Sequence, residues 1–260
     1  MAEQILVEQT DDVVTLRLNN PAAMNAMDGD MAEDLSAKLA VAAGHARAIV
    51  LAGTPRAFCA GANLQNPDMA RGAADFDAGH RLETSFNPLM TAIKTCPVPI
   101  ISAVSGAAAG VGASIALACD MIVAGKSAYF LQAFRRIGLV PDGGSALLLA
   151  QAVGRVRAME LMLLGERLPA ETALAWGLIN RLVEDSDVES TAASLAANLA
   201  AGPTRALGMI RQVAWSALAG DWETQLGMER ELQRDAGRTK DFAEGVAAFL
   251  GKRAAVFTGK

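Results

Sequence analysis

Residues Val98 to Val104 form an apolar run broken only by Ser102, and they lead directly into Ser105-Gly106-Ala107-Ala108-Ala109-Gly110-Val111-Gly112, a small-residue turn that opens a short helix ending near Ala118. Two further apolar strands flank this unit, Ala48 to Leu51 before it and Met121 to Ala124 after it. A strand with one wet face alternates apolar and polar residues, whereas these runs do not, so both of their faces must be covered. Apolar strands alternating with helices give an α/β chain whose sheet carries helices on both sides.

The remainder of the chain fits around that unit. Val13-Val14-Thr15-Leu16-Arg17-Leu18 alternates as a half-buried strand, and a hairpin through Asp11-Asp12 joins it to Ile5 to Val7. Asp28 is placed to cap a helix over Met31 to Ala43. Residues Asn66 to Cys96 read as a mobile segment, a candidate lid, followed by a helix ending before Pro97. From Asp142 onward the pattern is helical, with starts near Asp142, Arg155, Pro169, Val188, Pro203 and Trp222 and one strand at Leu178 to Leu182. Of the 260 residues, 5% are aromatic and 24 are glycine, so the core must be built from closely packed Ala, Leu, Val, Ile and Met.

The formal net charge of -5 argues against a general nucleic-acid binder, and no basic run exceeds Arg135-Arg136 or Lys252-Arg253. It leaves room for an anionic small ligand held by helix N-termini. The longest apolar segment, Gly106 to Ala118, is too short to span a bilayer, and the acidic start Met1 to Asp12 lacks the pattern of a signal peptide. Three scattered cysteines, Cys59, Cys96 and Cys119, fit a reducing compartment, so a cytoplasmic, membrane-free protein is expected. With only His45 and His80, a histidine-dependent triad or multi-histidine metal site has little material, and no metal is expected.

Two segments carry the candidate chemistry. Arg56-Ala57-Phe58-Cys59-Ala60-Gly61-Ala62-Asn63-Leu64 follows the strand Ile49 to Leu51, and Ala103 to Ser114 repeats the plan of strand, glycine turn and helix start. Small residues leave backbone N–H groups open to an approaching oxygen, although tight packing of a turn accounts for either segment taken alone. The spacing is not the dinucleotide fingerprint, because Ile115 stands where a third glycine would follow Gly110 and Gly112. Cys59 reads as a small core residue, and Asp75, Asp77 and Glu83 as a solvated face.

Taken together, the two segments resemble the paired signature of the crotonase, or enoyl-CoA hydratase/isomerase, superfamily. Supporting matches are Pro21-Ala22-Ala23-Met24-Asn25-Ala26, Gly138-Leu139-Val140-Pro141-Asp142-Gly143-Gly144, Trp176-Gly177-Leu178-Ile179-Asn180 and the ending Glu244 to Arg253. The resemblance implies a ββα spiral core over residues 1–200 and a C-terminal helical region, 201–260, that covers the active site and assembles a homotrimer or homohexamer. It also implies an acyl-CoA substrate whose thioester oxygen is held by the N–H groups of Ala62 and Val111. By the same resemblance, Ala23, Met24 and the Ala60-Gly61-Ala62-Asn63-Leu64 backbone contact CoA, while Phe257 and Lys260, of the same or a neighbouring subunit, are expected at its adenine end. Phe130, Phe134, Leu139 and Ser114 are expected to line the acyl pocket. No cofactor beyond the CoA moiety is implied.

The acid/base groups depart from the hydratase pattern, because the positions of its two water-activating glutamates are Ser114 and Phe134. Neither can act as a carboxylate base, so the glutamate-pair addition of water is not available. Asp142, read locally, is a helix cap. It also matches the aspartate of the superfamily's Val-Pro-Asp isomerases, which shuttles a proton between C4 and C2 of an enoyl chain. The expected activity is therefore an enoyl-CoA isomerase moving a β,γ double bond to α,β, with Asp142 as base. The alternatives are a hydratase with other acids, an aryl-CoA dehalogenase, a thioesterase, or a non-catalytic CoA-binding or RNA-binding relative. Phe134 stands where those dehalogenases carry tryptophan, which lowers that reading. Ser114 either donates a hydrogen bond inside the pocket or is an inert helix residue.

Overall fold

The structure is a computed structural model that describes residues 3–65, 77–218 and 220–260. It opens with the antiparallel hairpin β1 (Ile5–Thr10) and β2 (Val13–Leu18), turned at Asp11 with φ of 50°. Helix α1 (Gly29–Ala43) is capped as its sequence predicts: Asp28 Oδ1 accepts the Met31 N–H at 3.0 Å.

A repeated path follows. β3 (Ala48–Ala52) enters a large sheet and β4 (Ala57–Cys59) a small one, after which α2 (Asn87–Thr95) returns the chain. The next turn supplies β5 (Ile100–Val104) to the large sheet, β6 (Ala107–Ala109) to the small one, and α3 (Val111–Ala118). The third supplies β7 (Met121–Gly125), β8 (Tyr129–Leu131) and α4 (Ser145–Leu164). β3, β5 and β7 run parallel side by side, as do β4, β6 and β8. This is the ββα spiral that the resemblance implies.

β9 (Arg167–Pro169) closes the small sheet antiparallel to β8. After α5 (Ala170–Ala175), β10 (Arg181–Val183) extends the large sheet beyond β7. Ile49 and Leu51 of β3 face the main core, while Ala48, Val50 and Ala52 face α6 (Val188–Ala200) through Val188, Ala192 and Ala196. Every residue of β3 and β5 is buried, as the non-alternating pattern requires.

Helix α7 (Thr204–Ala217) is fastened to this body by Arg211, whose Nε lies 2.6 Å from Asp120 Oδ2 and whose other nitrogens donate to the carbonyls of Cys96 and Ile93. The chain ends with α8 (Trp222–Ala236) and α9 (Lys240–Leu250). Trp222, Phe249 and Leu250 on these two helices are exposed. Among the described residues no helix is long and apolar enough to cross a membrane.

Several sequence expectations are displaced. The small sheet is not anticipated, because strands of three residues show no periodicity. The strand expected at Leu178 to Leu182 lies at β10, after a turn at Gly177. The helix expected from Asp142 starts at Ser145, and the separate start near Arg155 is a kink inside α4 at Gly154, where φ is 78°. The segment expected to be mobile falls largely on 66–76, outside the described residues. Its described end is a π-helical turn, Leu82–Phe86, leading into α2.

Candidate active site

In the first two turns of the spiral, the strand of the small sheet leads the chain to one side of the same cavity. After β4 the chain passes Ala60 and Gly61 to Ala62, and after β6 it passes Gly110 to Val111, the first residue of α3. Because β4 and β6 are parallel neighbours, the two segments leave the small sheet side by side. A first-turn helix amide has no intrahelical acceptor, which frees the Val111 N–H and adds the positive end of the helix dipole. The Ala62 N–H has no acceptor among the described residues, while its neighbours are tied down: Met27 N–H donates to Gly61 O at 2.8 Å and Asn63 N–H to Met27 O at 2.7 Å.

Asn25 holds this arrangement from behind. It is fully buried, its Nδ2 donates to the carbonyls of Ala57 and Phe58 at 2.9 and 3.1 Å, and its Oδ1 accepts the Asn20 N–H at 2.8 Å. Met24 and Asn25 both adopt positive φ to form the loop, and Met24 O accepts the Ala60 N–H at 3.0 Å. Ala23 and Met24 thus lie beside the Ala60 to Leu64 segment, outside the cavity wall itself. Asparagine tolerates the left-handed region better than most residues, a signal present in the sequence but not used there.

The cavity in front of the two amides has a volume of about 270 Å³ and is lined by Ala60, Gly61, Ala62, Leu64, Gly110, Val111, Phe134, Leu139 and Asp142 among others. Leu82 and Phe86 of the π-helical turn add apolar wall, and Arg81, Arg136 and Ile137 also line the cavity. Pro88 lacks the N–H that a regular α-turn would place on Thr84, and the Asn87 N–H bonds Leu82 O instead. Leu82 and Phe86 were not anticipated as site residues, because a π-turn leaves no clear periodic signature.

Asp142 is the one carboxylate lining this cavity among the described residues. It does not cap α4: Gly144 occupies the N-cap position, with no side-chain hydrogen bond to the helix. Asp142 Oδ1 is buried without a partner, and burial pushes the carboxyl up to about 6. A carboxylate with a free lone pair and a raised pKa is a proton acceptor waiting for a C–H or O–H.

The other residues singled out in the sequence divide into those placed as expected and those placed elsewhere. Phe130 does not line the cavity. It sits in β8 opposite Leu168 and is packed into the main core. Ser114 is fully buried behind the wall, its Oγ directed at the carbonyls of Asp142 and Gly110 at 3.0 and 3.3 Å. Within one chain Phe257 and Lys260 do not line the cavity. Phe257 O accepts from Arg47 at 3.2 Å and Lys260 O accepts the Asp241 N–H at 3.1 Å, because buried Asp241 also gathers the amides of Thr258 and Gly259. Phe257 lines a separate groove with Arg47 and the β1–β2 turn. Cys59 is a core residue whose thiol burial pushes up to about 12, and Asp77, Glu83, His45 and His80 are exposed. Asp75 lies outside the described residues.

Residues 8–260 match the sequence profile of the family described as enoyl-CoA hydratase/isomerase. The chain is 42% identical over 262 residues to 1,2-epoxyphenylacetyl-CoA isomerase of Escherichia coli (strain K12), covering 100% of both. It is 43% identical over 260 residues to a protein of Rhodobacter capsulatus named probable enoyl-CoA hydratase, covering 98% of each. Among solved structures, an enoyl-CoA hydratase from Polaromonas sp. JS666 matches with a TM-score of 0.90 at 34% identity, covering 98% of this chain and 99% of that one.

Proposed function

Because this chain belongs to the enoyl-CoA hydratase/isomerase family, we propose that it is an isomerase of acyl-CoA thioesters that moves a β,γ double bond to α,β, with Asp142 as the single proton shuttle. The substrate thioester oxygen sits between the N–H groups of Ala62 and Val111. Asp142 removes a proton from C2, the electron pair passes into the carbonyl as a dienolate, and the two amides stabilise the oxyanion. Asp142 then returns the proton to C4, leaving the double bond between C2 and C3. Each amide contributes an amount of the order of 2.7 to 4 kcal/mol when the charge develops.

The observation that carries this reading is the unpartnered, buried carboxylate oxygen of Asp142, a residue that lines the same cavity as Ala62 and Val111. Hydration by a glutamate pair needs a second carboxylate, and the hydratase positions hold Ser114 and Phe134. A single shuttle needs only one. The aromatic walls Phe86 and Phe134 and the name of the Escherichia coli relative favour a second reading, in which the same site isomerises an epoxide-bearing phenylacetyl thioester.

The proposal extends to the bound cofactor portion and to assembly. CoA runs along Ala23, Met24 and Ala60 to Leu64, and no metal or redox group takes part. A homotrimer or homohexamer would cover exposed Trp222, Phe249 and Leu250, and would bring Phe257 and Lys260 of a neighbouring copy to the adenine. Light scattering tests the assembly, and a monomer at working concentration would overturn it.

The activity is tested by a mass-resolved assay of wild type and Asp142→Asn with 3-enoyl-CoA and 2-enoyl-CoA in deuterated water. The wild type isomerises the 3-enoyl chain at constant carbon-skeleton mass, and Asp142→Asn loses about a hundredfold or more while still binding CoA esters. Net gain of water, release of free thiol, or binding without turnover would instead establish a hydratase, a thioesterase or a non-catalytic relative.

A further inference from the structure

The Ser114 hydroxyl lies between two halves of the proposed machine without touching the cavity. Ser114 is fully buried in the first turn of α3, and its Oγ approaches Asp142 O at 3.0 Å and Gly110 O at 3.3 Å. A helical serine ordinarily bonds the carbonyl four residues back, here Gly110 O. The contact to Asp142 O is the shorter, so the hydroxyl's single hydrogen is assigned there, while the Ser114 N–H donates to Gly110 O at 3.1 Å. The Gly110 carbonyl and the Val111 N–H belong to one peptide unit, and fixing the first aims the second.

The turn carrying Asp142 is pressed onto the same serine. Gly143 has φ of 59°, and a Cβ there would lie 2.7 Å from Ser114 Cβ. The Asp142 carboxylate has no hydrogen bond that would orient it from its own tip, since Oδ1 is unpartnered. Its position is therefore set through its backbone, and the bond across to α3 comes from Ser114.

We infer that Ser114 is a positioning residue that fixes the Asp142 turn relative to the Val111 amide, holding the proton acceptor in register with the oxyanion donors. The inference rests on the isomerase reading for the roles of Asp142 and Val111. It assigns to Ser114 a mechanical part at a position where hydratases of this family place a carboxylate.

The test compares wild type, Ser114→Ala and Ser114→Cys in deuterated water, following both 3-enoyl isomerisation and α-proton exchange of a saturated acyl-CoA. Ser114→Ala is expected to lower kcat for both by about ten- to a hundredfold, with KM within about twofold, because misplacement by about an ångström is that costly. The acid limb of its pH profile moves below that of the wild type as the loosened turn admits water to the carboxylate. Ser114→Cys, of similar shape but a weaker donor, falls between the two and supplies the comparison if the alanine variant does not fold. Unchanged kcat and pH limb in the folded variant would overturn the inference. A wild type that exchanges the α-proton but does not isomerise defeats the isomerase reading alone, and Ser114 is then judged on exchange. A wild type that does neither overturns both.

Discussion

Gly61 and Gly110 meet almost backbone to backbone: a Cβ on Gly110 would sit 3.7 Å from Gly61 Cα, and one on Gly61 would sit 3.0 Å from Ala109 O. Both have positive φ, 104° and 52°. Gly61→Ala therefore meets strain and crowding at once, and relief requires rotating the peptide that ends in the Ala62 amide. Turnover is expected to fall by about 10²- to 10³-fold, the cost of one oxyanion donor. The stability loss, read from a urea titration, should stay near 1–3 kcal/mol. Equal turnover in the variant would show that Ala62 does not hold the oxygen.

The raised carboxyl of Asp142 gives a pH signature. With its pKa near 6, kcat/KM should climb tenfold per pH unit below about 6 and level off above it. An ordinary carboxylate would have levelled off about two units lower. A profile flat down to pH 4.5 would show a carboxyl that is not raised, and an acid limb unchanged in position and height in Asp142→Asn would remove Asp142 as the base.

The same shift has the opposite sign for stability. A carboxyl with a folded pKa above its unfolded value binds more protons when folded, so stability falls as pH rises from about 3.8 through about 6. Asp142→Asn should then be more stable than wild type at pH 8, by an amount on the order of 1–3 kcal/mol, and the two should match at pH 3.5. Calorimetry at the two pH values checks it. A variant less stable than wild type at pH 8 would mean that the carboxylate is held by a favourable contact.

Arg211 and Arg17 form ion pairs of unequal weight. The Arg211 side chain is 5% exposed, and it satisfies Asp120 and two main-chain carbonyls. Burial pushes the Asp120 carboxyl up even against the pull of Arg211 and the Ile100 amide. Arg211→Ala leaves that charge and those carbonyls uncompensated and should cost about 3–5 kcal/mol. Arg17→Ala breaks a pair whose partner Glu189 is 56% exposed, and should cost under about 1 kcal/mol. Denaturant midpoints compare them directly.

What the sequence revealed tracks the range of the interaction involved. β3, β5 and β7 are legible because short, almost wholly apolar runs without alternation have few other uses, and Asp28 is legible because its cap is three residues away. Asp142 misleads by the same logic. Its local setting reads as a cap, but Gly143 and Gly144, both at positive φ, delay α4 to Ser145. The contacts of Ser114 with residue 142 and of Asn25 with Ala57 and Phe58 span 28 or more positions, and no local pattern announces them. Phe130 and Phe134 are similar aromatics four residues apart, yet one faces the core and the other the cavity, because β8 ends between them.

The spiral supplies the two proposed oxyanion donors from equivalent points on successive turns, after β4 and after β6. Their spacing is consequently a dimension of the scaffold, as fixed as the separation of neighbouring strands. A survey that truncates side chains one at a time would pass over them: position 62 is already alanine, and Val111→Ala leaves its N–H in place. On the proposed mechanism, such a survey would report Asp142 as the whole of the chemistry, while the other half is written in peptide bonds that side-chain truncation does not remove.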